Sequence, residues 1–340
     1  MRALVVEGPR HGRVQELDAP VPKEGQLLVD VERVGLCGTD VELYTGEMVY
    51  FEKGLTHFPL RMGHEWTGRV SGVGPGTDHS WIGRRVTGDT MLGCGHCQLC
   101  LAGRHYVCAD RDEIGITDGW PGALAEQMLV AVRFAYPIPD NVSVTTAAMV
   151  EPGGNSLRAV EAARLSPGGR LLVLGSGTIG LLAAQIGLAR GLEVHVAGTR
   201  PSSLALARDL GIEHVYQLAD LQEDRSRRFD AVVDASSDQS MPALAVNLVR
   251  PTGRVVLIGV SSAPSLIDSR ALVLADVTAV GVLSASPGLE GTIELFASGA
   301  VNPEPLVSEV IGLEQVTSRL EGSRGENAGP GPKVHVDPRI

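Results

Sequence analysis

Aromatic side chains make up only 4% of this chain of 340 residues, and its apolar runs are short. The most apolar stretch, residues 171–189, is interrupted by Gly, Ser and Gln185, so it does not predict a transmembrane helix. The opening residues, MRALVVEGPRHG, lack the long apolar core of a secretory signal. We therefore expect a cytoplasmic protein that has no membrane partner.

Basic residues and cysteines are also limited. The chain has 29 basic and 40 acidic residues, and the resulting net charge of −11 argues against a nucleic-acid partner. Five cysteines are few for a secreted disulfide scaffold, and four of them lie between positions 94 and 108. That crowding is typical of a metal site rather than of disulfides.

The length and the pattern of apolar runs predict an α/β protein with more than one domain. Short β-runs separated by turn residues fill the first 150 positions. From about Ser166, strands alternate with helices, a pattern that predicts a parallel sheet with helices on both faces. The predicted segments are 1–152, 153–285 and 286–340, the last returning to the first domain, with a surface loop at 323–332.

A dinucleotide-binding fingerprint follows the predicted strand 170–174. Gly175, Gly177 and Gly180 form a GxGxxG pattern whose Thr178 and Ile179 open a predicted helix. In this position the glycines allow a tight turn, approach of the backbone to a pyrophosphate, and close packing of helix on strand. The alternative is a glycine-rich turn that binds nothing.

The end of the next strand predicts a preference for NADP over NAD. NAD enzymes place an acidic residue there to hold the ribose 2′-hydroxyl, whereas this chain has Gly198 followed by Thr199 and Arg200. The guanidinium of Arg200 suits a 2′-phosphate. Alternatively, Arg200 is a solvated residue that begins a turn.

The four crowded cysteines, Cys94, Cys97, Cys100 and Cys108, can close a tetrahedral site with no open position. Such a site holds zinc for folding rather than for chemistry. An iron–sulfur cluster and two local disulfides are the alternatives.

A second constellation is dispersed along the chain. It consists of Cys37-Gly-Thr39-Asp40, Gly63-His64-Glu65 and Glu151-Pro152. A thiolate, an imidazole and a carboxylate are the mixed ligands of a catalytic zinc that keeps a place open for substrate. Taken singly, Cys37 and His64 could be ordinary core residues.

Together these motifs, with the closing Lys333-Val-His-Val-Asp337, resemble the zinc-containing branch of the medium-chain dehydrogenase/reductase family. The resemblance implies a GroES-like β-rich catalytic domain and a doubly wound Rossmann domain. It also implies that Cys37 and His64 bind the catalytic zinc, with Glu65 or Glu151 as a further ligand. Asp40 would orient His64, and Thr39 would relay a proton.

The implied activity is hydride transfer between NADP(H) and a secondary alcohol or ketone, with two zinc ions per chain and a homodimer or homotetramer. Polyols, sugars and aminocyclitols are the expected small-molecule substrates, and 2-deoxy-scyllo-inosamine dehydrogenases are a weaker resemblance. Two departures from the family pattern are Glu42, where many relatives have a relay histidine, and Gly153-Gly154-Asn155, which predicts a wider or more polar floor near the nicotinamide. A zinc-independent enone or quinone reductase and a non-catalytic zinc- or cofactor-binding protein are the alternatives.

Overall fold

The computed structural model describes residues 1–223, 229–261, 263–326 and 328–340. The chain divides into two compact units. Unit 1 comprises Met1–Glu151, Val307–Gly329 and Lys333–Ile340, and unit 2 comprises Pro152–Leu306 and Pro330–Pro332. Among the described residues, no helix has the length and apolarity needed to cross a bilayer.

Unit 1 is rich in short strands because its apolar residues alternate with polar ones between Gly, Pro and Asp turns. Its elements are β1 (Arg2–Gly8), β2 (His11–Glu16), β3 (Gln26–Leu36), α1 (Gly38–Thr45), α2 (Val49–Glu52), β4 (Glu65–Val73), β5 (Arg85–Gly88), β6 (Met91–Leu92), α3 (Gln98–Leu101), β7 (Asp112–Glu113), β8 (Gln127–Ala131), β9 (Ala135–Pro137) and α4 (Val144–Ala147). Helix α5 (Val150–Ala163) begins in unit 1 and continues into unit 2.

Seven strands of unit 1 form one sheet, whose order is β16-β17-β3-β4-β5-β9 with β8 also paired to β3. Strands β16 (Val307–Ile311) and β17 (Lys333–Val336), with helix α12 (Val316–Leu320), come from the end of the chain. Strand β17 pairs antiparallel with β3, so that His335 lies opposite Gly35. This pairing brings the closing residues of the chain beside the segment that leads to Cys37.

Unit 2 alternates strands and helices. Its elements are β10 (Arg170–Leu174), α6 (Thr178–Ala189), β11 (Glu193–Gly198), α7 (Pro201–Asp209), β12 (His214–Gln217), α8 (Leu218–Glu223), β13 (Phe229–Asp234), α9 (Met241–Leu248), β14 (Val249–Leu257), α10 (Ser269–Leu274), β15 (Thr278–Gly281) and α11 (Leu289–Ala297). The six strands are parallel, in the order β12-β11-β10-β13-β14-β15. This is the doubly wound order of dinucleotide-binding sheets, and it confirms the predicted fold class.

The division of the chain differs from the predicted segments mainly after position 285, and Pro152 and Pro330–Pro332 also belong to unit 2 rather than to the first domain. Residues 286–306 belong to unit 2, whereas the sequence assigned them to the segment that returns to the first domain. Helix α11 explains the difference, because it packs closely on α5: a Cβ added at Gly291 would lie 2.9 Å from Leu157 Cδ2. Of the loop predicted at 323–332, Asn327 lies outside the described residues.

His335, a fully buried histidine of unit 1, is expected to make the protein less stable in acid. His335 is 0% exposed, and neither ring nitrogen has a hydrogen-bond partner in the part of the chain that the structure describes. Burial, with the charges of Lys333 and Arg33, lowers the pKa of His335 well below its ordinary value. The folded protein therefore holds this ring neutral, while the unfolded chain protonates it below a pH of about 6.5.

The stability that His335 contributes is thus present above that pH and is lost as the pH falls below it. We expect a loss of up to about 1.4 kcal/mol per pH unit from this residue. Urea unfolding between pH 7.5 and 5.0 checks this, since His335→Leu should show a shallower decline than the wild type. If the free energy of unfolding fell equally steeply with decreasing pH in both proteins, the role of His335 in acid destabilisation would be contradicted.

Candidate functional site

Cys37, His64 and Glu65 come together in unit 1, with one ligand atom of each within 4.8 Å of the others. Cys37 is the N-cap of α1, where its thiol accepts the backbone N–H of Thr39 at 3.4 Å. His64 immediately precedes β4, and Glu65 is the first residue of that strand. The end of β3 and the start of β4 therefore supply all three groups, because the two strands pair with Gly35 opposite Glu65.

The Asp40 carboxylate contacts both Cys37 and His64 of this cluster. It is fully buried, and one carboxylate oxygen accepts the Cys37 N–H at 2.9 Å. The other oxygen lies 3.6 Å from His64 Nδ1, and neither of these two atoms has a hydrogen-bond partner among the described residues. With Nδ1 facing a carboxylate, the other ring nitrogen, Nε2, is left to bind a metal.

The electrostatics of His64 follow from these neighbours. Burial alone would lower the pKa of the His64 imidazole, but the Asp40 carboxylate and the Cys37 thiol outweigh it and raise that pKa well above its ordinary value. The donor set therefore concentrates negative charge around one buried imidazole. A divalent cation bound by these three side chains would neutralise that charge, and thiolate, imidazole and carboxylate are the ligands that zinc accepts.

Glu65 is also the partner of a buried lysine that the sequence reasoning did not single out. Lys333 Nζ lies 2.8 and 2.6 Å from the two Glu65 carboxylate oxygens and donates to the carbonyl of Leu36 at 2.8 Å. Gly35 makes room for this carboxylate, since a Cβ there would lie 2.2 Å from Glu65 Oε2. Burial opposes the charge of Lys333, but Glu65 and Cys37 raise its pKa above the ordinary value.

Glu151 does not share the cluster of Cys37, His64 and Glu65. It is buried in the first turn of α5. Thr39 is half-buried, one residue into α1, and Glu42 follows it on the same helix. Burial, with the charge of Glu47, raises the pKa of Glu42 above its ordinary value.

Polar groups also lie close to the segment that leads to His64. A Cβ at Gly115 would be 2.7 Å from the carbonyl oxygen of Gly63, so these two backbones touch. Two residues earlier, the buried carboxylate of Glu113 accepts hydrogen bonds from Tyr50 Oη at 3.1 Å and Arg111 Nε at 2.8 Å. The sequence alone does not reveal this arrangement, because Tyr50 lies in α2, 63 positions before Glu113.

The four cysteines Cys94, Cys97, Cys100 and Cys108 form a second cluster in unit 1. Their sulfurs are 3.9 Å apart for Cys94 and Cys100 and 3.7 Å apart for Cys97 and Cys108, and none is in a disulfide. Tetrahedral zinc with Zn–S bonds of about 2.3 Å requires S–S separations of about 3.8 Å. The spacing therefore fits a closed tetrathiolate site.

A third group, Glu193, His195 and His214 in unit 2, also has its ligand atoms within 4.8 Å of one another. The imidazole rings of His195 and His214 are stacked, with their centroids 4.3 Å apart and their planes 14° from parallel. The lone pairs of the ring nitrogens lie in these planes, so they run nearly parallel and do not converge on one ion. His195 forms hydrogen bonds through Nε2 with the Glu193 carboxylate at 2.8 Å and through Nδ1 with the Tyr216 hydroxyl at 3.1 Å. These contacts account for the group without a metal.

The glycine motif of unit 2 lies between β10 and α6. Gly175 has φ +109°, which favours glycine, and a Cβ on Gly180 would lie 1.8 Å from the Gly175 carbonyl oxygen. Gly177, in contrast, is exposed and has open space where a Cβ would be. Thr178 and Ile179 begin α6. The first backbone N–H groups of a helix have no partner within the helix and favour anions.

The end of β11 is neutral and is followed by a cation. Gly198 is buried, while Thr199 and Arg200 are exposed, with Arg200 at the N-cap of α7. The strand end therefore presents a hydroxyl and a guanidinium to solvent instead of a carboxylate.

The structure corrects the interpretation of Gly153 and Gly154 as a widened floor. A Cβ on Gly153 would lie 2.5 Å from Thr292 Cγ2, and one on Gly154 would lie 2.9 Å from Ala285 Cβ. Both glycines therefore allow α5 to pack closely on residues 285–296 within unit 2. They are packing positions and do not open space.

Comparison with known proteins agrees with this arrangement. The alcohol dehydrogenase GroES-like domain matches residues 23–140, and the zinc-binding dehydrogenase domain matches residues 178–298. An L-threonine 3-dehydrogenase of Deinococcus radiodurans is 30% identical over 83% of this chain and 82% of its own. The chain belongs to the zinc-containing medium-chain dehydrogenase/reductase family.

Two further proteins show the extent of the similarity. A sorbitol dehydrogenase of Bacillus subtilis is 27% identical over 94% of this chain and 93% of its own. The crystal structure of a zinc-binding dehydrogenase from Sinorhizobium meliloti 1021, bound to NADP, has a TM-score of 0.90 and 26% identity, and covers 99% of each chain. This family member is accordingly a zinc-type alcohol or polyol dehydrogenase that uses a nicotinamide cofactor.

Proposed function

We propose that the protein oxidises a secondary alcohol of a polyol, sugar or aminocyclitol, or reduces the matching ketone, with NADP(H), at a catalytic zinc held by Cys37, His64 and Glu65. The observation that carries the proposal is the convergence of these three ligand atoms within 4.8 Å in front of buried Asp40. A zinc-independent enone or quinone reductase has no use for such a cluster. Glu151, which lies outside it, is not assigned as a ligand.

When bound, zinc supplies a Lewis acid for the substrate oxygen, and the nicotinamide exchanges the hydride. The chain's own residues position these groups and move the proton. Asp40 orients the His64 ring through Nδ1. Thr39 Oγ1 is assigned to pass the alcohol proton onward, and the Glu42 carboxylate to receive it, because residues three apart lie on one face of a helix. The pKa of Glu42 is raised toward neutral pH, which suits a side chain that accepts a proton.

The substrate class draws support from the relatives and from the polar side chains near His64. The names of the two relatives refer to threonine and sorbitol, both hydroxylated compounds. Glu113 lies two residues from Gly115, whose backbone contacts Gly63, and is hydrogen-bonded to Arg111 and Tyr50. Polar side chains of this kind suit a substrate with several hydroxyl or amino groups. A panel of alditols, aldoses, amino alcohols and cyclitols, followed at the absorbance of the reduced nicotinamide, tests the assignment. Turnover of simple aliphatic alcohols alone would contradict it.

The preference for NADP rests on the neutral end of β11 and the exposed Arg200. A charge-assisted hydrogen bond contributes about 1.5–3 kcal/mol, so Arg200→Ala should lower kcat/KM for NADP by about 10–100-fold. The value for NAD should stay within about twofold, since NAD has no 2′-phosphate for the guanidinium to bind. Steady-state kinetics with both cofactors check this. Arg250→Ala, which removes another exposed arginine of unit 2, is the control, and a wild type that prefers NAD would contradict the proposal.

A homo-oligomer formed through unit 2 is also proposed. Strand β15 pairs only with β14 in the described part of the chain, so it forms an edge of the sheet. Four apolar side chains in the region before it, Val260, Leu266, Val273 and Leu274, are between 73% and 89% exposed. An apolar surface beside an unpaired strand is typical of an interface between copies of a chain.

Light scattering tests the oligomer. Leu274→Glu should shift the mass toward that of a single chain, because a carboxylate would be buried without a partner in the interface. Val21→Glu, at an equally exposed position of unit 1, should leave the mass unchanged. A wild-type mass of one chain would contradict the proposal.

A further inference from the structure

Glu113 in unit 1 has one carboxylate oxygen that the protein binds and one that it leaves open. Oε1 accepts hydrogen bonds from Tyr50 Oη at 3.1 Å and from Arg111 Nε at 2.8 Å. Within the residues that the structure describes, no group donates to Oε2. The side chain is only 3% exposed, so this oxygen has little access to water. A carboxylate oxygen in such surroundings is stabilised when a bound ligand supplies a hydrogen-bond donor.

The backbone next to Glu113 is connected to the segment that carries His64. The Ile114 N–H donates to the carbonyl of Thr90 at 2.9 Å. Thr90 Oγ1 in turn donates to the carbonyl of His64 at 3.5 Å. One residue therefore links the strand that ends at Glu113 to a proposed zinc ligand.

The Glu113 carboxylate is also held in place before any ligand binds. Burial, with the charge of Glu113, raises the pKa of Tyr50 above its ordinary value, so the phenol stays protonated and donates to Oε1. The segment that carries this phenol is fixed in turn, because Thr56 Oγ1 donates to the carbonyl of Ile116, three residues after Glu113, at 2.7 Å. Binding at Oε2 therefore requires no ordering of these elements, which favours affinity.

Arg111 determines which charge suits a ligand at Oε2. All three nitrogens of its guanidinium have partners in the protein: Nε and Nη2 lie 2.8 Å from Glu113 Oε1, and Nη1 donates to the carbonyl of Cys108 at 3.2 Å. The guanidinium offsets the charge of the carboxylate, so a neutral hydroxyl group is a sufficient donor. A phosphate or carboxylate would instead face Oε2 with a charge of the same sign.

We propose that Glu113 Oε2 accepts a hydrogen bond from a hydroxyl group of the substrate that does not itself react, which makes Glu113 a specificity-determining residue. Tyr50 and Arg111 are positioning residues for this carboxylate. The inference rests on the proposed class of hydroxylated substrates and narrows it to uncharged polyols, sugars and cyclitols. Simple alcohols lack the second hydroxyl group, and sugar phosphates and hydroxy acids carry the wrong charge.

Steady-state kinetics of the zinc-loaded enzyme test the inference with the neutral polyol or cyclitol that it turns over best, and with cyclohexanol. Glu113→Leu combined with Arg111→Met removes both charges together, so that no guanidinium is left buried without a partner. This variant should lower kcat/KM for the polyol by about 10–100-fold, the effect of losing a hydrogen bond to a charged group. The value for cyclohexanol should stay within about twofold, because that substrate makes no such bond.

Deoxy analogues of the polyol give a second measurement. Removing the hydroxyl group that Oε2 binds should cost the wild type about as much as the double variant loses, and the variant should not distinguish the analogue from the polyol. If the double variant does not fold, Glu113→Gln replaces it, since this amide keeps one oxygen for Tyr50 and Arg111 and presents N–H groups in place of Oε2. Arg2→Met with Glu126→Leu, which removes another arginine–glutamate pair of unit 1, is the control.

The outcomes separate this inference from the proposed function. A wild type that turns over cyclohexanol as well as any polyol, or turns over no polyol, would contradict the proposed substrate class itself. A wild type that prefers the polyol, with that preference unchanged in the Glu113 variants, would overturn the role of Glu113 alone. A preference for a sugar phosphate or a hydroxy acid over the neutral polyol would overturn the restriction to uncharged substrates.

Discussion

Replacing Cys37 with alanine is expected to abolish turnover and leave the fold in place. Zinc stabilises developing charge on a substrate oxygen by several kcal/mol, so losing it should lower kcat/KM by at least about 10³-fold. The structural cost is small, because Cys37 is a half-buried N-cap whose loss costs about 1 kcal/mol, or roughly 2–4 °C in Tm. Metal analysis should show one zinc per chain in the variant and two in the wild type.

Cys108→Ser is the matched control for this experiment. Cys108 is fully buried and belongs to the tetrathiolate cluster, so this variant should also lose one zinc. Because a structural zinc contributes to folding, its Tm should fall further than that of Cys37→Ala. Activity measured well below that Tm should remain. If Cys37→Ala kept the wild-type kcat after losing one zinc, the catalytic assignment would be wrong.

The parts of the fold that the sequence predicted well depend on short-range signals. Strand β10 is observed at the predicted residues 170–174, and α6 begins at the predicted Thr178, because an apolar run followed by a glycine turn determines both locally. The same holds for the candidate ligands Cys37, His64 and Glu65, each of which stands in a short motif. Local pattern was sufficient to nominate these residues, and the structure then brought them together.

Features that the sequence did not reveal depend on pairing between distant segments. Lys333 meets Glu65, 268 positions earlier in the chain, only because β17 pairs with β3. The prediction that Gly153 and Gly154 widen the floor is wrong for the same reason, since the residues that pack against them lie at 285–296. One local signal was available for Lys333: it alternates with His335 on a strand whose side chains are otherwise apolar, which predicts two polar groups on one face.

Removing Lys333 is expected to destabilise unit 1 strongly. The lysine is 3% exposed and Glu65 is 2% exposed, so Lys333→Met would leave a buried carboxylate without its partner. Breaking a buried pair in this way costs about 3–5 kcal/mol, whereas removing both charges together costs much less. Urea unfolding of chelator-treated protein should therefore show a large loss for Lys333→Met and substantial recovery in the pair Lys333→Met with Glu65→Gln.

Zinc should change this result, because a divalent cation at the Cys37–His64–Glu65 cluster would replace the positive charge that Lys333 supplies. The destabilisation by Lys333→Met should accordingly be smaller in zinc-loaded protein than in chelated protein. Arg13→Met is the control within unit 1, since its pair with Glu7 is exposed and should contribute no more than about 1 kcal/mol. An equal loss for Lys333→Met with and without zinc would show that the metal does not approach Glu65. The ligand set would then have to be completed by another residue.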